Sequence, residues 1–343
     1  MRYIRNRGTL AWLLIVATIL LLPAHHQGTT ASRVNAQQQP GANTIVYLPL
    51  ILGPDPFRGP PQLPATVTDM NGDTVTIESV ERIIGLSGDI TEIIFALGMG
   101  DKVVAADISA TYPAQARQLP KIGYQRDLNA EAIINFRPTV VIGKRGAGPP
   151  PVLVQLRQAG LKLAMTNDGV SLNAPAEKIR FVAQALGVPT RGAMLIAQLE
   201  ADFAAAEAAL QQVNNRPRPR VIFLYLRQGE EGNQRLVFGA NTATNTMITA
   251  AGGIDAAAEI GIRGVLQPIT TEALIAAQPD VILVFESGLA EIGGEEGLLA
   301  LPGIAQTLAG QNRRIVAMDG QYLAGMNPRT GKALLDLIRL LHP

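Results

Sequence analysis

The side chains of this 343-residue chain that can do chemistry stand in short polar stretches, each directly after an apolar, β-branched run. Ser87-Gly88-Asp89 follows 82–86. Tyr112 sits in Ile108-Ser109-Ala110-Thr111-Tyr112-Pro113, after 103–106. Lys144 and Arg145 open 143–151, and Arg227, Gln228 and Gly229 follow 221–226. Tyr322, Met326 and Arg329 follow 315–318. Pro113 keeps the residue before it extended, so Tyr112 can project from its loop. Residue type alone assigns that tyrosine to packing and Lys144 and Arg145 to a solvated loop. Asp89 and Glu92 are the acid–base candidates, but both fall where a helix begins.

What is missing narrows the chemistry further. There is no cysteine, which removes disulfides, zinc–thiolate sites, iron–sulfur clusters and cysteine nucleophiles. Two of the three histidines, His25 and His26, lie in an N-terminal stretch that reads as a secretory signal: Arg2, Arg5 and Arg7, then an apolar run over 9–24, then Val34-Asn35-Ala36 as a cleavage site. An uncleaved membrane anchor is the alternative, and no cysteine is present to carry a lipid. Without 1–36 the only histidine is His342, which leaves no base for Ser-His-Asp catalysis and no usual ligand for zinc or manganese. Phosphate-binding Gly-x-Gly-x-x-Gly and Walker loops and the Gly-x-Ser-x-Gly elbow are absent. The balance after removal, 25 basic against 28 acidic residues, does not suggest nucleic acid as a partner.

The elements that position these loops repeat. Residues 128–143 (Leu-Asn-Ala-Glu-Ala-Ile-Ile-Asn-Phe-Arg-Pro-Thr-Val-Val-Ile-Gly) are echoed at 269–284 (Ile-Thr-Thr-Glu-Ala-Leu-Ile-Ala-Ala-Gln-Pro-Asp-Val-Ile-Leu-Val), with Glu131 matching Glu272 and Pro138 matching Pro279. Asn129 and Thr270 are N-cap residues, the glutamates face the positive helix end, and proline stops the helix before a buried strand. Further strands are expected at 82–86, 103–106, 161–165, 221–226 and 315–318, and helices at 89–97, 152–159, 241–251 and 330–341. Strands alternating with short helices imply parallel, doubly wound sheets, with ligands gathering beyond the strand carboxyl ends. Helices at 173–186 and 191–213 form a stiff strut. The division expected is a signal over 1–36, a Pro/Gly-rich tether over 37–66, one α/β lobe over 67–172, connecting helices over 173–213 and a second lobe over 214–343. An apolar run at 45–52 has no clear place in the tether. Residues 67–77 read as a hairpin turning at Asn71-Gly72.

These residues carry a resemblance. Glu81-Arg82-Ile83-Ile84-Gly85-Leu86-Ser87-Gly88-Asp89-Ile90-Thr91-Glu92-Ile93 resembles the opening of periplasmic substrate-binding proteins of ABC importers for haem, vitamin B12 and siderophores. Ala110-Thr111-Tyr112-Pro113-Ala114, Pro120-Lys121-Ile122-Gly123-Tyr124-Gln125-Arg126 and Gly148-Pro149-Pro150 are similar to the haem-binding branch. So is Asn327-Pro328-Arg329, with asparagine where that branch has glycine. The resemblance covers 67 to the C-terminus.

The resemblance implies the class III periplasmic binding protein architecture: two similar α/β lobes joined by a long rigid helix. It also implies an exported, monomeric binding protein, in the periplasm or on the outer face of the cytoplasmic membrane, that delivers haem to a permease and its ATPase. Tyr112 matches the tyrosine that ligates haem iron, a role that suits a hard anionic phenolate. A phenol titrates near 10 in water, and iron or a nearby cation lowers that value. Lys144, Arg145, Arg227 and Arg329 are the candidates for the propionates. The histidine that some members contribute from the second lobe is lacking, and Tyr225 and Met326 are its substitutes. Glu131 and Glu272 match the two glutamates that dock into the permease; their other role is to stabilise the helix dipole. The alternatives to haem are a corrinoid and a ferric siderophore.

Overall fold

The computed structural model describes residues 59–229 and 232–343. The signal segment, the run at 45–52 and most of the tether lie outside them. The hairpin forms as expected: Ala65–Thr68 pairs antiparallel with Thr74–Ile77, and Gly72 takes the left-handed backbone (φ 86°) that the turn requires.

Four parallel strands make the first sheet, in the order Val103–Ala106, Ile83–Gly85, Val140–Lys144, Leu163–Thr166. Successive side chains of the two central strands enter opposite cores, as a two-residue period dictates. Ile83, Val140 and Ile142 pack with the helices Gly88–Ala96 and Ala174–Ala185 on one face. Ile84, Val141, Leu163 and Met165 pack on the other with Ile133 and Leu156, from Ala130–Asn135 and Pro150–Gln158. A sheet covered on both faces explains strand sequences that are apolar throughout.

The second sheet runs Gly232–Val237, Arg220–Gly229, Val281–Phe285, Ile315–Met318. The last three are parallel and the first is antiparallel. Phe223, Val281 and Leu283 face one core, and Ile222, Leu224 and Val284 the other. Arg227, Gln228 and Gly229, expected in a loop, instead extend the strand into a hairpin with Gly232–Val237. The strand therefore runs five residues past Leu224, where its pairing with Val281–Phe285 stops.

The two echoed segments adopt one structure. Asn129 caps Ala130–Asn135 by accepting from Ala132 N–H, and Thr270 caps Thr271–Ala276 by accepting from Ala273 N–H. Arg137 and Gln278, each just before its proline, both have φ 45°, and the central strands Val140–Lys144 and Val281–Phe285 follow. The symmetry reaches beyond the repeat. Arg82 donates to the carbonyls of Phe136 and Arg137, and Arg220 to that of Ala277, so each guanidinium closes the C-terminus of its helix.

Between the sheets lie Ala174–Ala185 and Pro189–Val213. The second is 25 residues long, about 37 Å at 1.5 Å per residue, and Pro189 starts it where a missing N–H is harmless. The C-terminal helix Thr330–Leu341 packs along it: a Cβ on Gly331 would come within 2.7 Å of Asp202. Among the described residues no helix is long and apolar enough to cross a membrane.

Candidate functional site

The loops after the first-sheet strands face the segment 319–329 of the second lobe. Gly88 marks the approach, because a Cβ there would meet Ser109 O and Gln321 Nε2. Tyr112 stands in this region on the loop after Val103–Ala106, 45% exposed. Its peptide bond to Pro113 is cis. The Arg329 guanidinium carbon lies over its ring, 3.7 Å from the centroid. Other exposed apolar side chains follow first-sheet strands as well: Ile108, Tyr124 and Val170.

Arg329 is itself held. Its Nε donates to Glu92 Oε1 at 2.7 Å and its Nη2 to Oε2 at 2.8 Å, a two-pronged pair between the lobes. Asn327 donates to the same Oε2 at 3.2 Å and to Gln321 O at 2.6 Å. Burial pushes the Glu92 carboxyl above the usual carboxylate range, although Arg329 pulls the other way. The turn before it places Met326 in left-handed backbone (φ 45°) and buries it to 3% exposure, so the thioether packs inside the second lobe.

A second buried cluster lies one helical turn earlier. Lys178 Nζ donates to Asp89 at 2.5 Å and to Gly325 O at 2.9 Å, joining the first lobe, the strut and the second lobe. Lys144 lies 3.3 Å from Asp89 and 3.0 Å from Asp168. Burial alone would raise Asp89, but Lys144 and Lys178 override it and hold the carboxyl far below its ordinary value. Burial would lower Lys144, and Asp89 and Asp168 outweigh it, raising the ammonium above the usual lysine value. Lys144 is thus engaged inside the protein.

The remaining expected residues are spread. Arg145 donates to Asn167 Oδ1 at 3.0 Å and Arg227 to Gln234 Oε1 at 3.0 Å, both on exposed edges. Tyr225 is half-buried against Phe238, whose ring is 5.8 Å away and nearly parallel, with Phe285 edge-on at 6.2 Å. Glu131 and Glu272 are exposed in the first turns of the two echoed helices. Tyr322 also lies near Arg329, at 4.9 Å. Its hydroxyl donates to Asp336 at 2.8 Å, and burial first, then that carboxylate, pushes the phenol up. Tyr322 therefore keeps its proton, whereas the Tyr112 hydroxyl makes no hydrogen bond among the described residues.

Beside Tyr112 a cavity of about 930 Å³ is lined by Phe95, Leu119, Leu195, Gln198, Asp202 and Lys332, among others, within the roughly 300–1,000 Å³ of ligand pockets. It runs from Tyr112 and Arg329 toward Gly100 and Asp101, at the amino end of Val103–Ala106, and so away from the strand carboxyl ends. Among the described residues no group of three or more His, Cys, Asp or Glu side chains is placed to hold a metal ion. The roles of Glu92 and Asn327 in holding Arg329, and of Lys178 in holding Asp89, are not read from sequence, where Glu92 is an acid–base candidate and Asn327 part of a motif. The signal for Lys178 was its place on the apolar stripe with Ile179, Val182 and Leu186.

Known proteins converge on one group. The periplasmic haem-binding protein RhuT of Roseiflexus sp. RS-1, solved in apo form, is 54% identical; the match covers 77% of this chain and 98% of that one, with a TM-score of 0.74. The haem-binding protein HmuT is 35% identical over 83% of this chain and 92% of its own, with a TM-score of 0.75. HmuT has also been solved with a histidine, a tyrosine, and the arginine two positions after that tyrosine each changed to alanine. The vitamin B12-binding protein of Vibrio parahaemolyticus is 24% identical over 77% of this chain and 90% of its length. These relatives are binding proteins. A family model described as periplasmic binding protein matches residues 83–322, and the chain belongs to that family.

Proposed function

We propose that this protein captures ferric haem between its lobes, with the Tyr112 phenolate as iron ligand, and passes it to an ABC importer in the membrane. The observation that carries the reading is the exposed Tyr112 ring, its hydroxyl without a partner among the described residues and its face covered by a guanidinium. The guanidinium lies against the ring face and not on the phenol oxygen, which is left for iron. The 54% identity to a haem-binding protein supports it. Arg145 and Arg227, exposed and bonded among the described residues to the neutral side chains of Asn167 and Gln234, are the propionate candidates; Lys144 is already engaged. Tyr225 and Arg227 stand two positions apart, the spacing of the tyrosine and arginine changed in HmuT, which makes Tyr225 the candidate for a second axial contact. Glu131 and Glu272, one exposed acid per lobe on matching helices, are suited to docking on a two-fold permease.

Ferric haem titration followed by absorbance tests this, on the exported chain and on Tyr112→Ala. Saturable binding with a tyrosinate-type spectrum that the variant lacks is expected. Binding that survives the substitution moves the ligand to Tyr225. Relatives named for vitamin B12 binding support one second reading: saturable cobalamin binding with none of haem would replace haem by a corrinoid.

A further inference from the structure

We infer that Glu92 is a positioning residue for the iron-binding phenol: it reaches from the first lobe and holds the Arg329 guanidinium of the second lobe over the Tyr112 ring. The inference rests on the reading of Tyr112 just given.

Glu92 is 2% exposed and both its oxygens are engaged, Oε1 by Arg329 Nε and Oε2 by Arg329 Nη2 and Asn327 Nδ2. A carboxylate bonded to two nitrogens of one guanidinium fixes its plane as well as its place. An arginine without such a hold has rotamer freedom to swing away, or to turn an N–H onto the phenolate oxygen and compete with iron. With the fork in place, the edge carrying Nε and Nη2 belongs to Glu92 and the Tyr112 ring lies against the guanidinium carbon at 3.7 Å. The positive charge then acts through the ring, and the oxygen lone pairs stay free.

Asn327 strengthens the argument, because it is where this chain departs from the glycine that the resemblance leads one to expect. The residue is fully buried. Its amide nitrogen bridges Glu92 and Gln321 O, and its amide oxygen accepts from Arg329 N–H at 2.9 Å. A glycine offers none of these bonds. The same turn is tied to the first lobe a second time by Lys178, through Asp89 and Gly325 O. Asp89 and Glu92, three residues apart on one helix, therefore both hold the segment that presents Arg329.

The test has an arm without haem and an arm with it. In the apo protein the Arg329 Nε–H resonance, assigned by its loss in Arg329→Lys, is expected to be displaced by the ring current of Tyr112. The displacement should vanish in Tyr112→Leu and in Glu92→Gln. In the haem-loaded protein, Glu92→Gln and Arg329→Leu should each speed haem loss to an apo-acceptor by about tenfold, one cation–π contact spanning roughly two- to thirtyfold. Each should weaken the iron–tyrosinate absorption at neutral pH. Because Glu92 acts through Arg329, the double variant should lose haem no faster than the single ones. Should Glu92→Gln fail to fold, Asn327→Gly carries the same two arms with a smaller effect in the same direction. Additive effects in the double variant, or an unmoved Arg329 resonance in Glu92→Gln, would overturn the inference and leave Glu92 a structural ion pair. A wild-type protein that binds no haem would instead overturn the functional reading, while the apo arm still decides the positioning.

Discussion

Replacing Lys178 with methionine tests whether buried charge ties the lobes together. Its side chain is 1% exposed, and its ammonium is shared between Asp89 at 2.5 Å and Gly325 O at 2.9 Å. Methionine keeps an unbranched shape and removes both donors. Breaking a buried ion pair by removing one partner costs roughly 3–5 kcal/mol, and a buried carbonyl left without its donor roughly 1–3 kcal/mol. Lys144, still 3.3 Å from Asp89, offsets part of the first figure, which puts the sum near about 3–5 kcal/mol. Urea unfolding measures it as a lower midpoint at unchanged slope. A loss under about 1 kcal/mol would refute the reasoning, because desolvation of the lysine would then cancel its bonds. Acid titration is an independent check. Asp89 is held below its ordinary value by Lys144 and Lys178 against burial, and in the unfolded chain it titrates near ~3.9. Its stabilisation is therefore present above that pH and lost as pH falls toward the depressed folded value. Asp89→Asn should flatten the stability profile below about pH 4, and Lys178→Met should flatten it in part.

The two echoed helices should respond alike: Asn129→Ala and Thr270→Ala each remove one cap bond, and each should lower unfolding stability by about 1 kcal/mol. Glu131→Lys and Glu272→Lys, at exposed sites, should leave the haem titration unchanged and abolish haem uptake by vesicles carrying the importer; unchanged uptake would remove both from the docking surface. Tyr322→Phe loses the hydroxyl bonded to Asp336 and should keep the ferric haem spectrum, whereas a lost tyrosinate band would make Tyr322 the ligand.

What could be seen from sequence divides by how far apart the interacting groups lie. Asn129 and Thr270 cap through a backbone N–H three residues on, and proline ends the same helices, so the repeat showed its structure in its spelling. Strands covered on both faces were visible as unbroken apolar runs, and Thr330–Leu341 forms over the expected residues. The hairpin beyond Leu226 was not visible: Arg227 and Gln228 look like loop residues until Gly232–Val237 pairs with them. The site divides the same way. The loop and the proline let Tyr112 project but residue type assigns it to packing; only the resemblance marks it as a ligand, and what acts on it comes from far along the chain. Glu92 meets Arg329 across 237 positions, and Asp89 meets Lys178 across 89. A lysine on the apolar stripe of Ala174–Ala185 announces a buried partner, since an unpaired buried ammonium is too costly to keep charged; it does not say which acid. Two acids three residues apart on Gly88–Ala96, both nearly inaccessible, carry the same message from the other side. Three buried charges on two helices must find oppositely charged partners, and here Asp89 meets Lys178 of the strut while Glu92 meets Arg329 of the second lobe. The groups whose pairing sequence could not assign are therefore the ones that set the lobes against each other and bring Arg329 to Tyr112.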